Sequence, residues 1–208
     1  MEHTCRMMPI PTQTQIILDL AQQKGILRAV DLQPLKIPRV ILTRLVKSGQ
    51  LERVGRGIYR LPGNELSEHE SLTAIAIKVP QAVFCLFTAL QFHELTTQLP
   101  RQLWIAMPRG SHLPHISYPP LKIIQLTGQA YSEGIEIYER DQVALRVYSV
   151  AKTVADCFKH RHKIGLDVAL EALKDSLSQR KVSADDIWHF AKIDRVTNVM
   201  RPYLEALE

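Results

Sequence analysis

The stretch that constrains this chain most runs from Pro38 to Pro62, PRVILTRLVKSGQLERVGRGIYRLP. A helical period ends at a glycine, and two short β-prone runs follow at once around Gly-Arg-Gly. Proline suits a first helical turn, and Gly49 stops the helix. At about 100° per residue, Ile41, Leu42, Leu45 and Val46 collect on one side and must pack inward. Lys36, Arg39, Val40, Thr43 and Lys47 collect on the other, with Arg44 at its margin. Leu51 to Val54 and Ile58 to Leu61 then flank a turn whose tip carries Arg56.

Upstream, QTQIILDLAQQK over residues 13–24 places Ile16, Ile17, Leu20 and Ala21 at helical spacing, with Thr12 or Thr14 as cap and Gly25 as stop. Arg28 to Leu35 predicts a short second helix holding Ala29, Val30 and Leu32, interrupted near Pro34. Three helices followed by a basic hairpin is the layout of a winged helix-turn-helix, a module that reads duplex DNA. Charge agrees with it: residues 1–64 hold 10 Lys+Arg against 4 Asp+Glu, and residues 65–208 hold 16 against 17. A positive footprint so confined is what phosphate neutralisation requires. The DNA-contacting residues expected on this reading are Lys36, Arg39, Val40, Thr43, Arg44 and Lys47 in the major groove. Arg39, Val40, Thr43 and Arg44 are nearest the base edges, with Val40 suited to a thymine methyl. Arg53, Arg56 and Arg60 reach from the hairpin toward the flanking backbone or minor groove, helped by Gly55 and Gly57 at the tip.

Pro62-Gly63-Asn64 closes the hairpin and predicts a boundary between a winged-helix domain at 13–63 and a second domain at 67–208. SEHESLTAIAIKVP reads as a helix capped by Ser67, with Glu70 completing a capping box. Phe84 to Leu95 reads as another helix, and strands are expected at Gln102–Met107, Leu121–Leu126, Ile135–Tyr138 and Val143–Val147. Helices resume at roughly 149–161, 164–178, 183–192 and 195–207. The whole is α+β: a winged helix followed by a larger mixed domain with a small sheet and a helical C-terminal part. The loop PRGSHLPHISYPP offers Arg109, His112, His115 and Tyr118 as a second contact surface, for nucleic acid or protein.

Other chemistries find little support. Cys5, Cys85 and Cys157 are odd in number and far apart, which excludes a disulfide framework and a Cys-x-x-Cys zinc site, so reduced thiols are expected, with Cys85 and Cys157 in the core. A nuclease wants carboxylates on paired strands, yet LWIAM has none, and Glu136 and Glu139 fall on opposite strand faces. No catalytic residue, metal or cofactor is assigned. His160-Arg161-His162 reads as cations at the negative end of a helix. Asp156, within VADCF, is either a buried carboxylate with a local partner or a polar seam for a contact. The N-terminal MEHTCRMMPIPTQ lacks the apolar core of a secretory signal and no apolar run reaches membrane length, so a cytoplasmic protein is expected.

The run KGILRAVDLQPLKIPRVILTRLVKSGQLERVGRGIYRLP resembles the N-terminal winged-helix domain of the AbiEi family of bacterial antitoxins. The features that match are Gly25, Ser48-Gly49, Leu51-Glu52-Arg53 and the Arg56-Gly57-Ile58-Tyr59 wing closed by Leu61-Pro62. YSVAKTVADCFKHRHKIGLDVALEALKDSL, with Thr153, Asp156 and an Ala/Leu-rich helix, is similar to that family's C-terminal domain. The resemblance implies the antitoxin of a type IV toxin-antitoxin pair associated with phage resistance. Such a protein represses its own operon by binding inverted repeats in the promoter, with two winged helices per site and cooperative bending or wrapping of the DNA. It counters a nucleotidyltransferase-like toxin without a stable complex. The alternatives are a winged-helix regulator whose second domain only oligomerises or senses a ligand, and a toxin-binding protein that uses the winged helix as a scaffold.

Overall fold

The computed structural model describes residues 12–63, 68–98, 100–116, 119–140 and 143–207. The N-terminal leader with Cys5, Asn64 of the expected boundary, Ser67 of the expected capping box and Tyr118 lie outside these residues. The chain forms two compact units that divide between Ala74 and Ile75.

In the first unit, α1 (Gln13–Lys24) begins where the Thr12 hydroxyl accepts a hydrogen bond from the Gln15 amide at 3.2 Å and ends at Gly25 with φ 65°. The second helix expected over 28–35 is not formed. Leu27–Arg28 is instead a strand, β1, and only Ala29–Leu32 turns, as one 3-10 turn. The reason is a competing partner: Leu27 pairs with Tyr59 and Arg28 with Ile58 in the hairpin, which holds both residues extended. The Asp31 carboxylate accepts the Arg28 amide at 2.8 Å and closes the turn that follows. Helix α2 (Val40–Lys47) is entered through a turn in which the Ile41 amide donates to the Pro38 carbonyl and the Leu42 amide to that of Arg39. Strands β2 (Glu52–Gly55) and β3 (Ile58–Arg60) form the hairpin, and the sheet order is β1-β3-β2. Ile17, Leu27, Leu32, Leu42, Leu45 and Leu51 form the core, each side chain contributing about 2 kcal/mol by burial. This is a winged helix with β1 as the third strand of its sheet.

The second unit is α+β. Following α3 (Glu68–Lys78), β4 (Val83–Phe84) leads into α4 (Leu86–Phe92). Strands β5 (Leu103–Pro108) and β6 (Leu121–Leu126) precede a short α5 (Gln129–Ser132), then β7 (Ile135–Arg140) and β8 (Val143–Tyr148). The sheet order is β6-β5-β4-β8-β7. β4 pairs parallel with β8 and antiparallel with β5, while β5 and β6 run parallel and β7 and β8 antiparallel. The expected strands are all present, but Phe84 belongs to the central strand and not to the helix after it. A two-residue strand buried on both faces has no alternation to read.

The helical part comprises α6 (Val150–Lys159), α7 (Arg161–Ile164), α8 (Leu166–Ser178), α9 (Ala184–Asp194) and α10 (Thr197–Glu205). Helix α6 is the centre of it, and every residue from Ala151 to Phe158 is buried. It carries charge inside. Lys152 Nζ, fully buried, donates to Asp156 at 2.5 Å and to Asp194 Oδ2 of α9 at 3.1 Å, and Lys159 Nζ reaches Asp194 Oδ1 at 3.0 Å. Asp156 is thus a buried carboxylate with a local partner. Burial, joined by the nearby Asp194 charge, pushes its carboxyl up to about 7, although Lys152 opposes the rise. Burial alone disfavours the charged Lys152, but the two carboxylates outweigh it and raise its pKa. The lysines and carboxylates offset one another's charge, which is what lets the cluster sit in the core.

One expectation is corrected at the end of this helix. His160 closes α6, and burial together with Lys163 and Lys159 pushes it down to about 4, so it is neutral and not a cation. The positive group serving the helix end is Arg161, whose Nη1 donates to the Phe158 carbonyl at 2.8 Å. Cys85 and Cys157 are free buried thiols, and burial raises both. Among the described residues no helix is long and apolar enough to cross a membrane.

Lys152→Ala leaves the buried Asp156 carboxylate without its lysine and Asp194 with Lys159 alone, and is expected to lower the unfolding free energy by about 3–5 kcal/mol in urea titrations of the whole chain. A loss below about 1 kcal/mol, the range of solvated pairs, would show that water reaches the cluster.

Candidate nucleic-acid interface

The first unit presents two basic elements, α2 and the β2–β3 hairpin. On α2, Leu42 and Leu45 are buried and Ile41 and Val46 half-buried, which leaves Val40, Thr43, Arg44 and Lys47 on the outer side. Lys36 and Arg39 are also exposed, just before the helix. Lys36 stands at φ 53°, an uncommon conformation for a side-chain-bearing residue, where its amide donates to the Gln33 carbonyl at 3.1 Å. Val40 is 54% exposed, an apolar spot within a cationic face.

The hairpin is tied to α1 and the turn after β1, not to α2 alone. The Ala29 amide donates to the Gly57 carbonyl at 2.8 Å, which anchors the hairpin tip. Arg56 and Gly57 make a two-residue link between Gly55 and Ile58. Only Gly57 needs a glycine's freedom, at φ 72°; Gly55 does not have positive φ. A register shift between Arg53 and Gly55 marks a bulge at Val54, which increases the local twist of the strand that carries Arg53. Arg53 and Arg56 are exposed, and Arg53 Nε donates to the Gly55 carbonyl at 3.1 Å.

The distribution of carboxylates decides which cations are available. Asp31 is taken by Arg28 Nη2 at 3.0 Å and by Lys24 at 3.5 Å. Glu52 is taken by Arg60, through Nη2 at 2.8 Å and Nε at 2.9 Å, across the ladder in which the two residues face each other. Asp19 accepts from Gln15. Among the described residues, no carboxylate pairs with Lys36, Arg39, Arg44, Lys47, Arg53 or Arg56. Among the described residues, these six cations therefore face solvent without a neutralising carboxylate. Arg60, expected beside them, is half-buried and works as a strut of the hairpin.

Sequence reasoning missed a groove of about 410 Å³ along α2, lined by Gln13, Thr14, Ile41, Arg44, Leu45, Ser48 and Gln50. It sets the start of α1 beside Arg44, a neighbourhood no local pattern announces. The Arg28-x-x-Asp31 spacing was the one available sign that Arg28 would be paired. In the second unit, Arg109, His112 and His115 are exposed, with the Arg109 amide donating to the Leu126 carbonyl at 2.8 Å. Among the described residues no side-chain hydrogen bond or ion pair joins these three into one site. Among the described residues no group of three or more His, Cys, Asp or Glu is placed to hold a metal ion.

Comparison with known proteins agrees with the first unit. Residues 15–62 match a family model described as transcriptional regulator, AbiEi antitoxin. Among solved structures, the crystal structure of the RV2827C protein from Mycobacterium tuberculosis is similar in fold, with a TM-score of 0.56 at 14% identity over 85% of this chain and 70% of that chain. No curated protein matches the sequence.

Gly57→Ala forces a Cβ into the left-handed region, at a cost of about 1–2 kcal/mol. The Ala29 amide, bonded to Gly57, is expected to exchange its hydrogen about tenfold faster, and Gly55→Ala is expected to leave that rate unchanged. Equal effects from both substitutions would contradict the assignment of the turn.

Proposed function

We propose that this chain is a DNA-binding antitoxin of a bacterial type IV toxin-antitoxin system, and that it represses its own operon through the winged helix. The family match over residues 15–62 supports the regulator class, and the observation that carries the DNA reading is the set of six unpaired, exposed cations on α2 and the hairpin. A solvated basic face usually carries acids at its margins that balance it. Here Asp31, Glu52 and Asp19 are engaged by other partners, so among the described residues a polyanion meets six charges with no ion pair to break.

On this reading α2 lies in the major groove. Arg39, Val40, Thr43 and Arg44 meet base edges, Val40 against a thymine methyl, while Lys36 and Lys47 take phosphates. Arg53 and Arg56 follow the flanking backbone or minor groove. The operator is a pair of inverted repeats in the chain's own promoter. The larger unit counters a nucleotidyltransferase-like toxin without forming a stable complex with it, in the cytoplasm, and the chain catalyses no reaction of its own. The exposed Arg109, His112 and His115 offer a second contact surface.

A specific feature favours a second reading. A cleft of about 560 Å³ in the larger unit is lined by His93, Tyr138, Ser149, Lys181, Asp186 and Phe190, among others, and mixes polar and aromatic groups in the manner of small-ligand sites. A regulator whose larger unit senses a ligand would use it.

Footprinting on the DNA directly upstream of the gene is expected to show two protected, symmetry-related segments. Four phosphate contacts per copy, from Lys36, Lys47, Arg53 and Arg56, give a slope of log Kobs against log salt of about −4. Replacing Arg53 and Arg56 together with Ala is expected to flatten it by about two units, and Arg60→Ala to change it little. An unchanged slope in the double variant removes the hairpin from the interface. Co-expression with the neighbouring gene product tests the antitoxin half: relief of toxicity is expected if that product is nucleotidyltransferase-like, and a neighbour of another class supports the ligand-sensing regulator.

A further inference from the structure

We propose that the outer edge of β7 joins two copies of this chain, strand to strand and antiparallel, about a two-fold axis at Tyr138 that sets Glu136 of each copy opposite Arg140 of the other. Strand β7 is the last in the order β6-β5-β4-β8-β7, so among the described residues only β8 pairs with it. That pairing runs over six residues in unbroken register, from Ile135↔Tyr148 to Arg140↔Val143.

One hydrogen bond determines which groups face outward. The Ser149 amide donates to the Gly134 carbonyl at 2.7 Å, and in the register Gly134 lies directly opposite Ser149. Residues that exchange such bonds alternate along an antiparallel pair. Glu136, Tyr138 and Arg140 therefore bond to β8, and Ile135, Ile137 and Glu139 turn their N–H and C=O groups to the free edge.

Exposed edges of this kind are normally guarded by proline, lysine, bulges or brevity. The opposite edge is guarded: Pro119-Pro120 precede β6, and its Lys122 lies over the Trp104 ring at 5.9 Å. β7 has no proline, lysine or bulge, and Ile137 on it is 70% exposed. A long, regular, partly apolar edge without a guard is a surface for strand pairing.

The occupant follows from the side chains. Outward groups meet outward groups only if the two-fold axis passes through a residue and not between two. At Glu139 the axis would place two like charges face to face. At Ile137 it would set Glu136 against Tyr138 and Ile135 against Glu139, with no opposite charges facing. At Tyr138, Glu136 and Arg140 face each other twice, in the non-hydrogen-bonded positions where side chains are closest. Ile137 and Glu139 then exchange main-chain bonds, and the two Ile137 side chains become diagonal neighbours that cover each other. The strand is thus complementary to itself in charge and in hydrogen bonding. Two-fold pairing is also the symmetry that inverted repeats require, but the inference does not rest on the operator reading.

The test is sedimentation of the full chain without DNA, so that failure here and failure of DNA binding are separable. A monomer–dimer equilibrium is expected. Ile137→Pro removes an amide that faces away from β8, so the monomer keeps its circular dichroism while dimerisation weakens about tenfold or more. Arg140→Glu sets carboxylates face to face and is expected to weaken the dimer similarly, and adding Glu136→Arg is expected to restore it. A chain that stays monomeric up to high micromolar concentration overturns the proposal. So does a dimer indifferent to Ile137→Pro, or a charge swap that fails to restore association.

Discussion

The pairing of the two-residue strand β1 with β3 is the contact on which the basic unit depends. A hairpin alone is marginal in water, and this one places a bulge and a two-residue turn at its tip. Leu27 and Arg28 supply the third strand, and the Ala29 amide extends the ladder to Gly57. The same two residues bring Leu27 under α1 and α2, where it joins Ile17, Leu42 and Leu45 in the core. Strand and core together hold the hairpin arginines at a set position relative to the outer face of α2. Without that, the exposed cations would be separate charges on separate tethers and not one surface.

The second unit solves a different problem. Its central helix, α6, has no exposed side from Ala151 to Phe158, yet it carries Lys152 and Asp156. Asp194 arrives from α9 and Lys159 from the end of α6, and each lysine is held against a carboxylate. Replacing such a cluster by apolar residues of equal volume is often neutral for stability, while breaking it is costly. Its physical effect is to tie α9 to α6, since Asp194 of α9 is held by both Lys152 and Lys159 of α6. Tyr148, at the end of β8, extends the same logic toward the sheet: its hydroxyl donates to the Tyr131 carbonyl at 2.8 Å, and burial raises its pKa.

The family comparison bears on the two units unequally. It matches residues 15–62 and stops at the end of the hairpin. Likeness of fold to a mycobacterial protein at 14% identity extends over 85% of the chain and speaks to architecture, not to partners. What the comparison shows is the likeness of residues 15–62 to a regulator family of AbiEi antitoxins, and the toxin, the operator and the division of labour between the units belong to the proposal.

Periodicity and punctuation alone determined much of this protein. The inward and outward faces of α2, the hairpin with Arg56 at its tip, the existence and order of the four strands expected at 102–107, 121–126, 135–138 and 143–147, though not their ends, and the helical C-terminal part all follow from apolar spacing and from Gly and Pro positions. These are short-range properties, carried by residues within a turn or a strand of one another. Tertiary structure decided whatever depended on a distant partner. Arg28 is extended because Ile58 is beside it, Phe84 is in a strand because Ile105 and Val147 flank it, and Arg60 is occupied because Glu52 faces it. His160 loses its charge to burial. A linear pattern records what a residue is, but hydrogen-bond pairing, desolvation and charge neutralisation depend on what folding brings next to it.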